Sequence, residues 1–271
     1  MMMQLFFREL GQGSRNLIII HGLYGSSDNW LTIARLLGDE FRIFIIDQRN
    51  HGQSPHCDEM SYTLMADDIK HFMLQQNLDK AIVMGHSMGG KTAMAFALQN
   101  PNLVEKLVIL DIAPKSYGGF SNYAQITNDH RAIVDALLSI DPSQHHSRSS
   151  VDKALKDKIP NNMVRSFLLK NIGRADDKQL YWKLNIKAIS DNLTKIMDGL
   201  DEFDAAEEFP AEKAVILIRG AQSPYVQDED MQQVRKYFPS AQLADIPDAG
   251  HWLHAEQPDI FIKTVKYFLD S

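Results

Sequence analysis

The segment Gly-His-Ser-Met-Gly at residues 85–89 places one serine hydroxyl between two glycines. It follows an apolar run at residues 81–84 and precedes a helix-forming stretch at residues 91–98. A G-x-S-x-G sequence between a strand and a helix is typical of a nucleophile elbow, in which a sharp turn holds the serine exposed and strained. The two glycines remove the Cβ atoms that would collide as strand and helix close on each other. Ser87 is therefore the candidate nucleophile, and the alternative is a tight turn that carries a solvated serine.

A serine hydroxyl is barely ionised near neutral pH, so it needs a neighbouring base. His251 follows the last predicted strand and precedes the last predicted helix, in the segment Asp-Ala-Gly-His-Trp at residues 248–252. Loops that follow parallel strands lie at one edge of the sheet, the edge that also carries Ser87. We therefore predict that His251 is the base, with His254 as the alternative. His86 adjoins Ser87 on the elbow and cannot readily point at the same place.

A carboxylate should hold the imidazole in its useful tautomer and offset its charge when it is protonated. The usual position follows the strand at residues 214–218, but Ser223 stands there, and a serine cannot act as that anion. Asp111 ends the strand after the elbow helix, at the same edge of the sheet. Its place between nucleophile and base along the chain fits the order nucleophile, acid, base. We predict Asp111 as the acid and keep Asp228, a few residues beyond the vacant position, as its competitor.

Attack on a carbonyl carbon develops negative charge on the oxygen, which preorganised N–H donors stabilise. The Met88 amide, at the start of the elbow helix, is one predicted donor of this oxyanion hole. The second is the Leu23 amide, in the segment His-Gly-Leu-Tyr-Gly at residues 21–25 after the first long strand. Both are backbone groups, so the prediction does not depend on the side chains at these positions.

Short apolar runs alternate with amphipathic helical stretches along most of the chain. The predicted strands are residues 17–20, 41–46, 81–84, 107–110, 214–218 and 243–246, and the clearest predicted helices are residues 64–76, 91–98, 231–238 and 260–268. Continuous apolar strands between helices are typical of a parallel sheet covered on both faces. Right-handed crossovers then give a doubly wound, mostly parallel α/β fold.

Residues from about 115 to 205 break this rhythm. Strand-like runs disappear there, and helical segments at residues 131–140, 163–171 and 188–197 take over. We predict an α/β core formed by residues 1–114 and 206–271, with an inserted helical cap, or lid, at residues 115–205 that covers a substrate cleft. The alternative is a surface extension that packs elsewhere.

Four aromatic residues are candidates for substrate binding. Tyr117 and Tyr123 follow the strand that ends at Asp111, Trp182 lies in the cap, and Trp252 follows the predicted base. For the apolar residues of the cap, packing of the cap helices is at least as good an explanation as lining an acyl pocket.

Composition narrows the functional classes. With 271 residues, 44% of them hydrophobic, one domain with an insertion is favoured over two independent domains. A formal charge of -7, with scattered basic residues, argues against nucleic acid as a partner. With a single cysteine, Cys57, the chain cannot form an internal disulfide. The neighbouring pair His145 and His146 lies in a polar linker, where we expect no metal.

The N-terminus lacks the basic region of a signal peptide, and no apolar run approaches the roughly 20 residues of a membrane span. We therefore expect a soluble, cytoplasmic protein.

Four motifs together resemble the α/β-hydrolase superfamily over nearly the full length of the chain. They are HGLYGS at residues 21–26, DQRNHGQS at 47–54, GHSMGG at 85–90 and GHW at 250–252. More narrowly, LDIAP at residues 110–114 and RGAQSPY at 219–225 are similar to the small bacterial YbfF-type esterases and their mitochondrial abhydrolase relatives. That resemblance places the acid on Asp111 and implies hydrolysis of carboxylic esters or acyl thioesters without a cofactor.

The leading hypothesis is a serine hydrolase that cleaves a small-molecule acyl ester or thioester through an acyl-enzyme intermediate, as a monomer or homodimer. The same triad is compatible with hydrolysis of a carbon–carbon bond or with perhydrolysis. Dehalogenases and epoxide hydrolases of this fold use an aspartate nucleophile, so Ser87 argues against them. A non-catalytic binding protein of this fold is the remaining alternative, and it predicts that a triad member is missing, whereas none is.

Overall fold

The computed structural model describes residues 2–118, 123–203 and 209–271. The strands in this part of the chain are β1 (Phe7–Leu10), β2 (Arg15–Ile20), β3 (Phe41–Ile46), β4 (Ala81–His86), β5 (Val104–Leu110), β6 (Ile172–Arg174), β7 (Leu180–Trp182), β8 (Val215–Gly220) and β9 (Gln242–Ile246). One sheet has the order β1-β3-β2-β4-β5-β8-β9, and β6 pairs with β7 in a separate hairpin. In the large sheet β1 is antiparallel to β3, and the other neighbouring strands are parallel.

The six strands predicted from the apolar runs are all present, within a few residues of the predicted bounds. Four consecutive residues of β2 illustrate why the pattern is clear, since residues 17–20 are all fully buried. Strand β1 was not predicted, because Arg8 and Glu9 interrupt its apolar residues. It lies at the edge of the sheet and is only partly buried, which is where a strand tolerates charged side chains.

Helices cover both faces of the sheet. In the described residues they are α1 (Leu31–Leu37), α2 (Tyr62–Gln75), α3 (Met88–Gln99), α4 (Ala124–Leu138), α5 (Arg148–Leu155), α6 (Asn162–Leu168), α7 (Ile186–Asp191), α8 (Leu193–Met197), α9 (Asp230–Tyr237), α10 (Leu253–Glu256) and α11 (Pro258–Asp270). On one face, Phe72 of α2 and Val234 of α9 belong to the same buried cluster as Val83. On the other face, Phe261 of α11 belongs to a cluster with Met84. The fold is therefore doubly wound, as predicted, and none of these helices combines the length and apolar character that a bilayer span requires.

Helices α4 to α8 and the β6–β7 hairpin are inserted between β5 and β8, and we call this segment the cap. Its residues Val134 and Leu168 belong to the same buried cluster as Leu23 of the core. The prediction that this segment lacks strands is wrong, because β6 and β7 pair in antiparallel register. Strands of three residues are too short to show an alternating pattern in the sequence. The predicted boundary between residues 205 and 206 lies outside the described residues.

Candidate active site

Ser87 lies in the turn between β4 and α3, with backbone torsion angles of φ 54° and ψ -122° that are strained for a residue with a side chain. Gly85 makes this turn possible, since a Cβ there would lie 2.1 Å from the Gly89 carbonyl oxygen. A Cβ on Gly89 would lie 2.4 Å from the carbonyl oxygens of Ile20 and His21, at the end of the neighbouring strand β2. The sharp strand-to-helix turn therefore has the geometry expected of a nucleophile elbow.

Asp111 follows β5 directly and is fully buried. Its Oδ2 accepts hydrogen bonds from His251 Nδ1, at 2.6 Å, and from the Ser223 hydroxyl. Its Oδ1 accepts a hydrogen bond from the Gly220 amide at 3.1 Å. An ionised carboxylate can only accept, so each of these neighbours has to donate. The contact therefore places a proton on Nδ1 of His251 and leaves the lone pair on Nε2, which is the tautomer that a general base requires.

Ser223 stands at the vacant acid position after β8, and it supports the carboxylate instead of supplying one. Its hydroxyl donates to Asp111 Oδ2, and its Oγ also accepts a hydrogen bond from the Tyr225 amide at 3.3 Å. Sequence reasoning missed this role, although a hydroxyl residue at the expected position of the acid was the signal. Asp228, the competing acid, is turned to solvent, with a side chain 81% exposed that pairs with Arg219 at 2.5 Å. Asp111 is thus the carboxylate that contacts the imidazole.

A cavity of about 420 Å³ opens beside Ser87 and His251, and we call it the main cavity. Its walls are mainly apolar and come from both core and cap, with lining residues that include Trp30, Ile133, Val164, Phe167, Leu168 and Trp252. Within the described residues, the hydrogen bonds of His251 use Nδ1 and the backbone carbonyl, and none joins Nε2 to the Ser87 hydroxyl. In unliganded enzymes such a contact is often long and tightens only when substrate binds. Both residues nevertheless line the same cavity.

The two predicted oxyanion donors lie together beside Ser87. Leu23 and Met88 both line a smaller cavity that adjoins Ser87. Met88 is the first residue of α3, where a backbone amide has no acceptor within the helix. Neither the Leu23 amide nor the Met88 amide donates to another group in the part of the chain that the structure describes. Both N–H groups are therefore available to an oxygen bound next to the nucleophile.

Three other histidines near this edge of the sheet, His21, His86 and His254, are buried. Burial lowers the pKa of His21 to about 4 and that of His254 to about 3, so both rings are neutral at neutral pH. His254, the alternative base, stacks on Trp30 with ring centroids 4.1 Å apart. His86 Nε2 donates to the carbonyl oxygen of His251 at 2.7 Å. No group of three or more His, Cys, Asp or Glu side chains among the described residues is arranged to hold a metal ion.

Two of the predicted substrate-binding residues line cavities that Ser87 also lines. Trp252 lines the main cavity and packs against Phe167 of the cap, with ring centroids 5.5 Å apart. Tyr117 lines the smaller cavity next to Ser87, and its hydroxyl donates to the Tyr225 carbonyl at 2.8 Å. Trp252 is therefore placed to contact a substrate, whereas the polar end of Tyr117 is already used inside the protein.

The other two predicted substrate-binding residues pack within the protein. Tyr123 contacts the ring of Tyr117 at a centroid distance of 5.5 Å. The indole N–H of Trp182 donates to the Ile140 carbonyl at 3.1 Å, which joins the hairpin to the segment that follows α4. Neither residue is among those that line the main or the smaller cavity. Their aromatic character reflects packing of the cap, which sequence pattern alone does not distinguish from substrate contact.

Sequence reasoning gave no role to two further residues at the site. Tyr225 stacks on the imidazole of His251, with ring centroids 3.7 Å apart and an interplanar angle of 13°. The Tyr225 hydroxyl lies 3.0 Å from His130 Nε2, and His130 belongs to the cap helix α4. Both residues also line the main cavity. No pattern in the sequence indicates contacts between residues 95 positions apart.

Comparison with known proteins identifies the family to which the chain belongs. The family described as having the alpha/beta hydrolase fold matches residues 15–258. The chain belongs to the α/β-hydrolase family. A solved structure of a marine microorganism esterase is 45% identical, covers 98% of the chain and 99% of its own length, and superposes with a TM-score of 0.92.

Two further α/β-hydrolase relatives carry functional names. The sn-1-specific diacylglycerol lipase ABHD11 of Danio rerio is 36% identical over 96% of the chain and 80% of its own length. Esterase YbfF of Escherichia coli is 32% identical over 94% of the chain and 93% of its own length. The chain is accordingly an α/β-hydrolase of the esterase and lipase type.

Proposed function

We propose that this α/β-hydrolase is a serine esterase that cleaves carboxylic esters, and acyl thioesters by the same steps, through an acyl-enzyme on Ser87. His251 takes the hydroxyl proton as Ser87 Oγ attacks the carbonyl carbon, and then gives that proton to the departing alcohol or thiol. A water molecule, deprotonated by the same imidazole, then attacks the acyl-enzyme; the bond to Ser87 Oγ breaks, the imidazolium returns the proton to that oxygen, and the acid is released. The observation that carries the proposal is the 2.6 Å contact of buried Asp111 with His251, in the wall of the cavity that Ser87 lines.

Asp111 has two tasks in this mechanism. Its carboxylate keeps the proton of neutral His251 on Nδ1, and it offsets the charge of the imidazolium that forms during each half-reaction. The amides of Leu23 and Met88 stabilise the negative charge on the substrate oxygen. Each such donor contributes roughly 3 kcal/mol of transition-state stabilisation in hydrolases of this kind.

The apolar lining of the main cavity favours an ester with an apolar acyl group as the substrate. Its walls combine aromatic and aliphatic side chains from the core with Val164 and Phe167 of the cap, so the cap acts as the cover of the acyl site. Asp129 also lines the cavity and disfavours an acyl group that carries its own negative charge. The relatives named esterase and lipase are consistent with this substrate class.

A comparison of Ser87→Ala with Ser143→Ala tests the proposal. Ser143 is an exposed serine of the cap, so its loss should leave turnover unchanged. Ser87→Ala should lower kcat for a short p-nitrophenyl ester by at least about 10³-fold, because the covalent step is lost. A panel of oxygen esters and thioesters of increasing acyl length should be measured in parallel. Retained hydrolysis in Ser87→Ala would refute the proposal.

A further inference from the structure

One hydrogen bond at Nδ1 fixes a single point of the His251 ring and leaves the ring free to tilt about that contact. Tyr225 restrains this motion, since its ring lies parallel to the imidazole at a centroid distance of 3.7 Å and an angle of 13°. The contact between His251 and His86 is looser, at 4.7 Å and 41°. The face of Tyr225 is therefore the surface that defines the plane of the imidazole, and with it the direction of Nε2.

Tyr225 is itself held by the residues that orient the carboxylate. Its amide donates to Ser223 Oγ at 3.3 Å, and the Ser223 hydroxyl donates to Asp111. Its carbonyl oxygen accepts a hydrogen bond from the Tyr117 hydroxyl at 2.8 Å. One short segment, residues 223–225, thus positions both the carboxylate and the ring that the carboxylate binds.

The hydroxyl of Tyr225 connects this arrangement to the cap. It lies 3.0 Å from Nε2 of His130 on α4. Burial lowers the pKa of His130 to about 4 and raises the pKa of Tyr225, so a neutral phenol faces a neutral imidazole. The second ring nitrogen of His130, Nδ1, is buried and has no hydrogen-bond partner among the described residues. The phenol is therefore the polar contact that fixes this ring.

His130 also reaches the loop that carries the predicted oxyanion donor. Its backbone carbonyl accepts a hydrogen bond from the Tyr24 hydroxyl at 3.3 Å, and its ring lies 5.7 Å from the Tyr24 ring. Tyr24 is the neighbour of Leu23 in the chain. His130 thus contacts both Tyr225, which stacks on the imidazole, and Tyr24, which is next to the predicted oxyanion donor in the chain.

We propose that Tyr225 is a positioning residue for His251, and that its hydrogen bond to His130 makes the orientation of the imidazole depend on the docking of α4 against the core. The inference rests on the proposed esterase function, in which His251 is the base. With α4 docked, the phenol is held at both ends and the ring of His251 keeps one plane. Without that hydrogen bond the phenol ring can shift, and the fraction of molecules with Nε2 directed at the nucleophile falls.

The test uses Tyr225→Phe and His130→Leu, which remove the same hydrogen bond from opposite sides. Each should lower kcat for a p-nitrophenyl ester by about fivefold to tenfold, the range of one hydrogen bond, with KM changed less than about twofold. The double variant should lose little more than either single variant, because both substitutions delete one interaction. Tyr237→Phe is the matched control, since it removes a buried hydroxyl whose partner, the Leu200 carbonyl, lies outside the site.

A second measurement does not depend on turnover. The Nδ1–H proton of His251 in its short hydrogen bond to Asp111 gives a downfield NMR resonance, which should shift or broaden in Tyr225→Phe and His130→Leu but not in Tyr237→Phe. An unchanged resonance and a kcat within twofold of the wild type in both variants would overturn the inference while leaving Ser87 as nucleophile. Additive losses in the double variant would also overturn it, because the two residues would then act separately. Hydrolysis that survives Ser87→Ala would instead remove the proposed function.

Discussion

Replacing Asp111 with asparagine exchanges one carboxylate oxygen for an NH2 group and should remove most of the activity. The carboxylate accepts from three donors, namely the Gly220 amide, the Ser223 hydroxyl and Nδ1 of His251. An asparagine offers one acceptor oxygen and one NH2 group in the same space. If the NH2 group takes the place of Oδ1, it opposes the Gly220 N–H and leaves buried donors unpaired, at a cost of about 1–3 kcal/mol.

In the other orientation the asparagine fits sterically, but His251 can no longer act as a base. An NH2 group in place of Oδ2 can be met by rotation of the Ser223 hydroxyl, but it donates to Nδ1 of His251. The imidazole proton must then move to Nε2, so no lone pair faces the nucleophile. We expect kcat to fall by about 10⁴-fold, or about 5 kcal/mol, as for other triads with this tautomer error.

The assay is steady-state hydrolysis of a short p-nitrophenyl ester by Asp111→Asn and Asp228→Asn. The second variant is the matched control, because the carboxylate of Asp228 is 81% exposed. Its kcat should remain within about twofold of the wild type, because Asp228 does not contact His251 and Arg219 keeps its second ion pair, with Asp245. A loss of less than tenfold in Asp111→Asn, or a larger loss in Asp228→Asn, would show that the acid has been assigned to the wrong strand.

Three further outcomes are expected. Ser223→Ala removes one hydrogen bond to a buried carboxylate, so kcat should fall about tenfold to a hundredfold with KM unchanged, and an unaltered kcat would contradict the supporting role. Burial lowers the pKa of His21 from 6.5 to about 4 and that of His51 to about 3, so between pH 6.5 and 4 the unfolded chain binds protons that the folded protein does not. The free energy of unfolding, measured with urea, should therefore fall on acidification by about 1.4 kcal/mol per pH unit for each ring, and a flat profile would disprove this. Val164→Trp should fill part of the main cavity and shift the preference of kcat/KM toward shorter acyl groups, whereas an unchanged acyl profile would place the acyl site elsewhere.

The sequence was most informative about features whose residue types are set by a single physical requirement. Buried parallel strands need continuous apolar residues on both faces, so the strands that carry the site were predicted closely. The choice of Asp111 over Asp228 followed from its place at a strand end, and the structure contains the expected contact with His251. The strained turn at Ser87 needs glycines at two fixed positions, which makes it readable in the sequence.

Sequence was least informative where distant segments meet. The support of Asp111 by Ser223 and the stacking of Tyr225 on His251 depend on how the loop after β8 crosses the end of β5. In the cap, apolar and aromatic residues serve both helix packing and the cavity wall. Hydrophobic periodicity gives the buried side of a helix but not which neighbour covers it, and this is why Trp182 was assigned to the substrate.

The most direct test is to identify the residue to which a fluorophosphonate probe attaches. This reagent reacts with a serine only when a neighbouring base activates the hydroxyl. Peptide mass spectrometry of the labelled, folded protein should find one adduct, on Ser87, and labelling should be abolished in His251→Ala. An adduct on another residue, or equal labelling of Ser87 in His251→Ala, would contradict the claim that these two residues act as nucleophile and base.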